Sequence, residues 1–280
     1  MATDQSSSSL REIADCNGAA ARSTARLFST DVGTGRNVMF LHGWTCDSGD
    51  WSGQLPFFES RYRTVAVDLR GHGKSEVMPS GAYSPEDYVA DVESLITTRY
   101  RGEAFVLIGH SMGGQIAARL AARRPDLVDA VVSVDGALGF SEDTGKAFEK
   151  TAHDLQADDP RAVVAALFER VYGIATDPAH KRLHASRLQQ VPLHVIRESF
   201  APLFFGAGQV GIGDASAKFC ARLTVPFYHL CLDPSQADRM GPWFSHSKSK
   251  VQAWSNAGHW IMQDRNVDVN AAVATWIDSL

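Results

Sequence analysis

The stretch Phe105-Val106-Leu107-Ile108-Gly109-His110-Ser111-Met112-Gly113-Gly114-Gln115-Ile116-Ala117-Ala118 dictates its own local architecture. An apolar run too short for a helix enters Gly-x-Ser-x-Gly and leaves as an Ala/Leu-rich helical pattern that ends near Arg123 and Arg124. The pattern predicts strand, sharp turn, helix. Such a turn holds its central residue in a strained conformation, and the flanking glycines, lacking Cβ atoms, let strand and helix close up. Ser111 is then lifted clear at the top of a sheet as a candidate nucleophile. The N–H of Met112, at the helix start, is aimed at any oxyanion formed beside it.

Further strands are predicted over residues 38–41, 64–67 and 130–134, ending at His42-Gly43-Trp44, Asp68-Leu69-Arg70 and Asp135-Gly136. A helix is predicted over residues 83–99, with Ser84 at its N-cap and Pro85 in its first turn. Strands alternating with helices imply the α/β class: a mostly parallel central sheet flanked by helices, with ligand sites beyond the carboxyl ends of the strands. His42, Asp68, Ser111 and Asp135 all fall at such ends. Gly43 allows the backbone to approach a ligand, which makes the Trp44 N–H a second candidate oxyanion donor. The glycine-rich run from Asp68 to Ser75 lacks the P-loop pattern and is read as structural. Upstream, Asn17-Gly18 is expected to turn a hairpin between two short strands within residues 14–30, with residues 1–23 a flexible lead-in and first strand.

Past residue 138 the alternation stops. Helical segments at 159–171 and 179–190 and the apolar group Phe200, Leu203, Phe204 and Phe205 suggest a helical cap over residues 139–220, inserted into a core of residues 24–138 and 221–280. The sheet resumes at 225–232 and 250–254, and a helix over 267–280 closes the domain. A serine hydroxyl needs a base to take its proton and a carboxylate to hold that base's tautomer. Of ten histidines, His259 has the natural position, on a loop after the last strand. His110 diverges from Ser111 on the turn; with Trp44, Phe204 and Trp243 it is expected to contact substrate.

A net charge of −5 with no basic stripe gives no sign of nucleic-acid binding, and no run approaches the roughly 18 apolar residues of a membrane span. Cys16, Cys46, Cys220 and Cys231 show no C-x-x-C spacing, so neither a metal site nor a disulfide framework is expected. The polar N-terminus lacks a signal-peptide core, and a cytoplasmic setting is the expectation. The expected partner is a small-molecule substrate, with a homodimer left open.

In order, His42-Gly43-Trp44, Asp68-x-Arg70-Gly71-x-Gly73-x-Ser75, Gly109-His110-Ser111-Met112-Gly113-Gly114 and Gly258-His259 resemble the α/β-hydrolase family over about residues 24 to 280. The resemblance implies a Ser-acid-His triad, a Met112/Trp44 oxyanion hole, a cap and no cofactor. In most of the family the acid follows the strand corresponding to 227–232, where Asp233 comes early and Asp238 late. In another branch it follows the strand after the nucleophile helix, where Asp135 sits. Asp135 is the expected acid, with Asp233 the alternative. Tyr228-His229-Leu230 and Pro242-Trp243-Phe244, with Trp44 and Asp135, are similar to the branch of cofactor-free dioxygenases that cleave N-heteroaromatic rings. Fungal lactonases with the acid after the same strand are a further parallel. The expected activity is serine hydrolysis of a carboxylic ester or lactone of a bulky apolar or aromatic molecule. The alternatives are cofactor-independent oxygenolysis through a His–Asp dyad, or a ligand receptor on a hydrolase scaffold.

Overall fold

The computed structural model describes residues 23–280, in which seven strands form one sheet. They are β1 (Ser29–Val32), β2 (Asn37–Leu41), β3 (Arg63–Val67), β4 (Phe105–His110), β5 (Val128–Val134), β6 (Phe227–Cys231) and β7 (Lys250–Ala253), in the spatial order β1-β3-β2-β4-β5-β6-β7. All neighbours run parallel except β1, which pairs antiparallel with β3 from Ser29 opposite Val67 to Val32 opposite Thr64. Of the stretch expected to hold the hairpin, the described part reaches β1, which pairs with β3; after it Gly33 and Gly35, both at positive φ, turn the chain toward β2. Asn17 and Gly18 lie outside the described residues.

Every residue of β4 is buried. Successive strand residues point to opposite faces, so both faces of the central strand are covered, as a parallel sheet requires. The covering helices on the N-terminal side are α1 (Leu55–Glu59), α2 (Pro85–Arg99) and α3 (Met112–Arg123), with α3 packed on β4 and β5. Helix α2 starts where its sequence says: Pro85 opens it, and the Asp87 carboxylate accepts the Ser84 N–H at 2.9 Å. The Asp68–Ser75 loop is stapled rather than open. Arg70, fully buried, grips both carboxylate oxygens of Asp91 at 2.5 and 2.6 Å, and the Ser75 hydroxyl donates to the Asp68 carbonyl at 2.5 Å.

Between β5 and β6 lie α4 (Glu142–Asp154), α5 (Pro160–Val171), α6 (Pro178–Gln190), α7 (Leu193–Phe204) and α8 (Gly213–Cys220). Asp159 and Asp177 cap α5 and α6, accepting the N–H groups of Arg161 and Ala179, with proline next in each case. After β6 come α9 (Pro234–Met240), then α10 (Ile261–Asp264) and α11 (Asn266–Asp278) beyond β7.

A buried ion pair ties this helical insert to the core. Arg187 of α6 donates to Asp50, in the short 3-10 turn Ser48–Trp51, and to Asp47 at 2.9 Å. The Trp260 indole donates to the other Asp50 oxygen at 3.1 Å. Burial would push the Asp50 carboxyl up, but the adjacent His184 ring and the Arg187 guanidinium outweigh it and hold it well below the usual carboxylate range.

Candidate active site

Ser111 follows the last residue of β4 and precedes the first of α3, at φ 50° and ψ −114°. Positive φ is costly for a residue with a Cβ and persists only where the surroundings enforce it. Here the enforcement is close packing. A Cβ on Gly109 would lie 2.3 Å from the Gly113 carbonyl carbon, and one on Gly113 would lie 2.3 Å from the Leu41 carbonyl oxygen. Met112 opens α3, so its N–H is among the first-turn donors with no intrahelical acceptor.

The neighbouring strand end is joined to this turn directly. Ser111 N–H donates to the Val134 carbonyl and Ala137 N–H donates to the Ser111 carbonyl, both at 3.0 Å. Asp135 lies between them at φ 42°, its N–H bonded to the Leu230 carbonyl at 2.7 Å. Its Oδ2 is 2.6 Å from His259 Nδ1. An ionised carboxylate only accepts, so Nδ1 is the donor in this bond, and in the neutral imidazole the lone pair then sits on Nε2. Asp233 has a different task. Exposed at the N-cap of α9, it accepts the Ser235 N–H at 2.8 Å and the Ser235 hydroxyl at 2.6 Å, and these bonds lower its carboxyl pKa.

The loop bearing Trp44 is oriented by two buried histidines. His42 Nε2 accepts the Leu69 N–H at 2.9 Å, so its Nδ1 donates to the Gly43 carbonyl at 2.8 Å. His72 Nε2 accepts the Thr45 N–H at 3.2 Å, so its Nδ1 donates to the Arg70 carbonyl at 2.7 Å. Burial keeps both rings neutral, with His72 pushed down to about 3 by burial and by His42. The indole of Trp44 donates to Ser199 Oγ of α7 at 3.0 Å and packs 4.9 Å from the Phe200 ring.

Ser111, Asp135 and His259 line one cavity of about 570 Å³ between the strand ends and the insert. Its wall is aromatic on the insert side, where Phe140, Phe148, Phe200 and Phe204 pack with ring centroids 4.3 to 5.9 Å apart. Of the residues expected at substrate, Trp44, His110 and Phe204 line this cavity. Trp243 is not among the lining residues; it ends the short 3-10 turn after α9, half-buried against the core.

A sequence profile of the alpha/beta hydrolase fold matches residues 36–190, more than half of the chain. The chain belongs to the α/β-hydrolase-fold family. Over 149 residues it is 36% identical to the 2-(acetamidomethylene)succinate hydrolase of Mesorhizobium japonicum, covering 52% of this chain and 53% of that one. Over 98 residues it is 41% identical to a non-heme haloperoxidase of Rhodococcus erythropolis, covering 35% of each. The chain thus spans about half or less of the length of these curated relatives. Among solved structures, the enol-lactonase from Burkholderia xenovorans LB400 superposes with a TM-score of 0.73 at 19% identity, covering 92% of this chain and 99% of that one. That likeness concerns the fold.

Three features of this α/β-hydrolase-fold chain had no signal in its sequence. His110 does diverge from Ser111, but its Nε2–H donates to the carbonyl of His259 at 3.0 Å, with the two rings 4.6 Å apart. Burial and the neighbouring His259 hold its pKa well below the usual histidine range. The Asp50–Arg187 pair joins residues far apart in the chain. Thr176, in the turn after α5, reaches the loop of His259 through Asp264. No helix among the described residues is long and apolar enough to cross a membrane, and none of their His, Cys, Asp and Glu side chains group as a metal site.

Proposed function

We propose that this chain is a serine hydrolase that cleaves a carboxylic ester or lactone of a bulky apolar or aromatic small molecule. One observation carries the reading: His259 Nδ1 bonds to Asp135 at 2.6 Å beside a serine held at φ 50° on the same cavity. Ser111 Oγ attacks the substrate carbonyl and its proton passes to His259 Nε2. The Trp44 and Met112 N–H groups hold the oxyanion. Collapse breaks the C–O bond, His259 returns the proton to the leaving alkoxide, and an acyl-enzyme remains. Water then gives its proton to His259, adds to the acyl carbon and releases the acid, which restores Ser111.

No step calls for a cofactor. The aromatic wall of the cavity supports a substrate with a flat or bulky apolar part, and the volume suits a small molecule. The Mesorhizobium relative is a hydrolase and the Burkholderia fold neighbour an enol-lactonase, both consistent with acyl transfer.

Exposure to a fluorophosphonate tests the reading, because Ser111 Oγ must bond to phosphorus as fluoride leaves. Intact-protein mass spectrometry is expected to show the phosphonyl mass on the wild type and none on Ser111→Ala, with aryl-ester hydrolysis lost in parallel. A well-folded wild type that takes up no label sinks the proposal. Oxygen-consumption assays with hydroxylated heteroaromatics would then test the His259–Asp135 pair as a proton-abstracting dyad.

A further inference from the structure

His259 and the residue before it are held by their backbone at three points. Its N–H donates at 2.8 Å to the carbonyl of Val171, the last residue of α5 in the insert. Its carbonyl accepts from His110. One residue earlier, the Gly258 N–H donates to Asp264 Oδ2 at 2.6 Å. That same oxygen receives the hydroxyl proton of Thr176 at 3.0 Å, while Thr176 Oγ1 accepts the Gly173 N–H at 2.9 Å. A hydroxyl has one proton to give, so both partners of Thr176 are fixed in direction.

The two backbones it joins are in direct contact. A Cβ added to Gly258 would fall 2.2 Å from the Gly173 nitrogen, and one on Gly173 would fall 2.5 Å from the Gly258 nitrogen. Thr176 is buried, and neither it nor Asp264 lines the cavity.

We propose that Thr176 and Asp264 are positioning residues for His259: together they clasp the turn after α5 to the Gly258 amide and so set where the imidazole stands relative to Ser111 and Asp135. The proposal rests on His259 acting as the base for Ser111. The helical insert is then part of the catalytic machinery as well as a wall for substrate. Displacing a reacting group by about 1 Å can cost 10²-fold in rate, so the clasp acts on turnover and leaves binding alone.

Thr176→Val keeps the shape of the side chain and removes both hydrogen bonds; Thr176→Ser keeps the hydroxyl. For Thr176→Val the expected result is kcat lower by about 10- to 100-fold, an essentially unchanged KM, and fluorophosphonate labelling of Ser111 slowed in step with kcat. Thr176→Ser is expected to restore most of both. Proton NMR gives a readout independent of turnover. The downfield Nδ1–H signal of the His259–Asp135 bond, identified by its loss in His259→Gln, should be sharp in the wild type and Thr176→Ser and broadened in Thr176→Val. Should Thr176→Val not fold, Thr176→Ala carries the same test with less bulk.

Wild-type kcat and a sharp Nδ1–H signal in a folded Thr176→Val overturn the clasp, as does an effect confined to KM. A wild type that neither hydrolyses nor labels refutes the hydrolase reading instead, and the NMR comparison then still decides whether Thr176 holds the ring.

Discussion

Asparagine in place of Asp135 is the sharpest test of the candidate triad. The residue sits at φ 42°, a conformation asparagine tolerates better than alanine does, so the substitution adds little backbone strain. What it changes is the 2.6 Å bond to His259 Nδ1. A carboxylate can only accept there, which keeps the proton on Nδ1 and a lone pair on Nε2; an amide NH₂ can donate instead, which favours the opposite tautomer and disables the base. In a Ser-His-Asp triad, loss of the correct tautomer costs about 10⁴ in kcat, which is about 5 kcal/mol of barrier. The assay is steady-state hydrolysis of an aryl ester, with circular dichroism to show that each variant is folded. Asp233→Asn is the control. That carboxylate caps α9, asparagine caps as well, and kcat should stay within about twofold. If Asp135→Asn keeps more than a tenth of the wild-type kcat, or Asp233→Asn loses as much, the assignment of the acid is wrong.

Three further outcomes are expected. Arg187→Met leaves the Asp50 carboxylate buried without its cation, which costs about 3–5 kcal/mol or about 6–20 °C in Tm. Since Asp50 is depressed in the folded state, its contribution is present above about pH 4 and fades below it. The gap in Tm between wild type and Arg187→Met should therefore narrow in acid, and a constant gap would refute the pairing. Burial pushes His72 down to about 3 and His229 to about 4. The unfolded chain then takes up protons at these two positions first as pH falls from about 6.5, and, with His42 and His110 lowered as well, unfolding free energy from urea titrations should drop by at least about 2.5 kcal/mol per pH unit near pH 5. A flat profile there would show that these rings are not buried neutral. His72→Phe removes the acceptor of the Thr45 N–H and should lower kcat by about 10²-fold through the Trp44 donor, with Ser111→Ala as baseline; an unchanged kcat would separate Trp44 from the oxyanion.

What could be read from the sequence was what is local. The strand, turn and helix around Ser111 are written in consecutive residues, as are the strand ends that carry Trp44 and Asp135, so the parallel sheet followed from them. The partner of His259 was a different matter, because Asp135 and Asp233 follow the neighbouring strands β5 and β6 and only tertiary geometry says which carboxylate reaches the ring. Trp243 belonged to a short motif, yet its neighbour Phe244 stacks on Phe227 at 4.7 Å and both side chains pack against the core. Asp50, Arg187 and Thr176 were invisible because each acts on a partner distant in sequence, and a polar residue in a turn or on a helix carries no periodicity that says it will be buried.

The hydrogen bond from the His259 amide to the Val171 carbonyl also limits how this scaffold can be rebuilt. An insert that only shaped the substrate cavity could be exchanged between relatives as a cassette, with selectivity travelling with it. Here a graft must also return a free carbonyl at the end of its second helix, a glycine close enough to touch Gly258, and a hydroxyl facing Asp264. Chimeras that ignore those three points would inherit the donor's cavity and lose the recipient's chemistry.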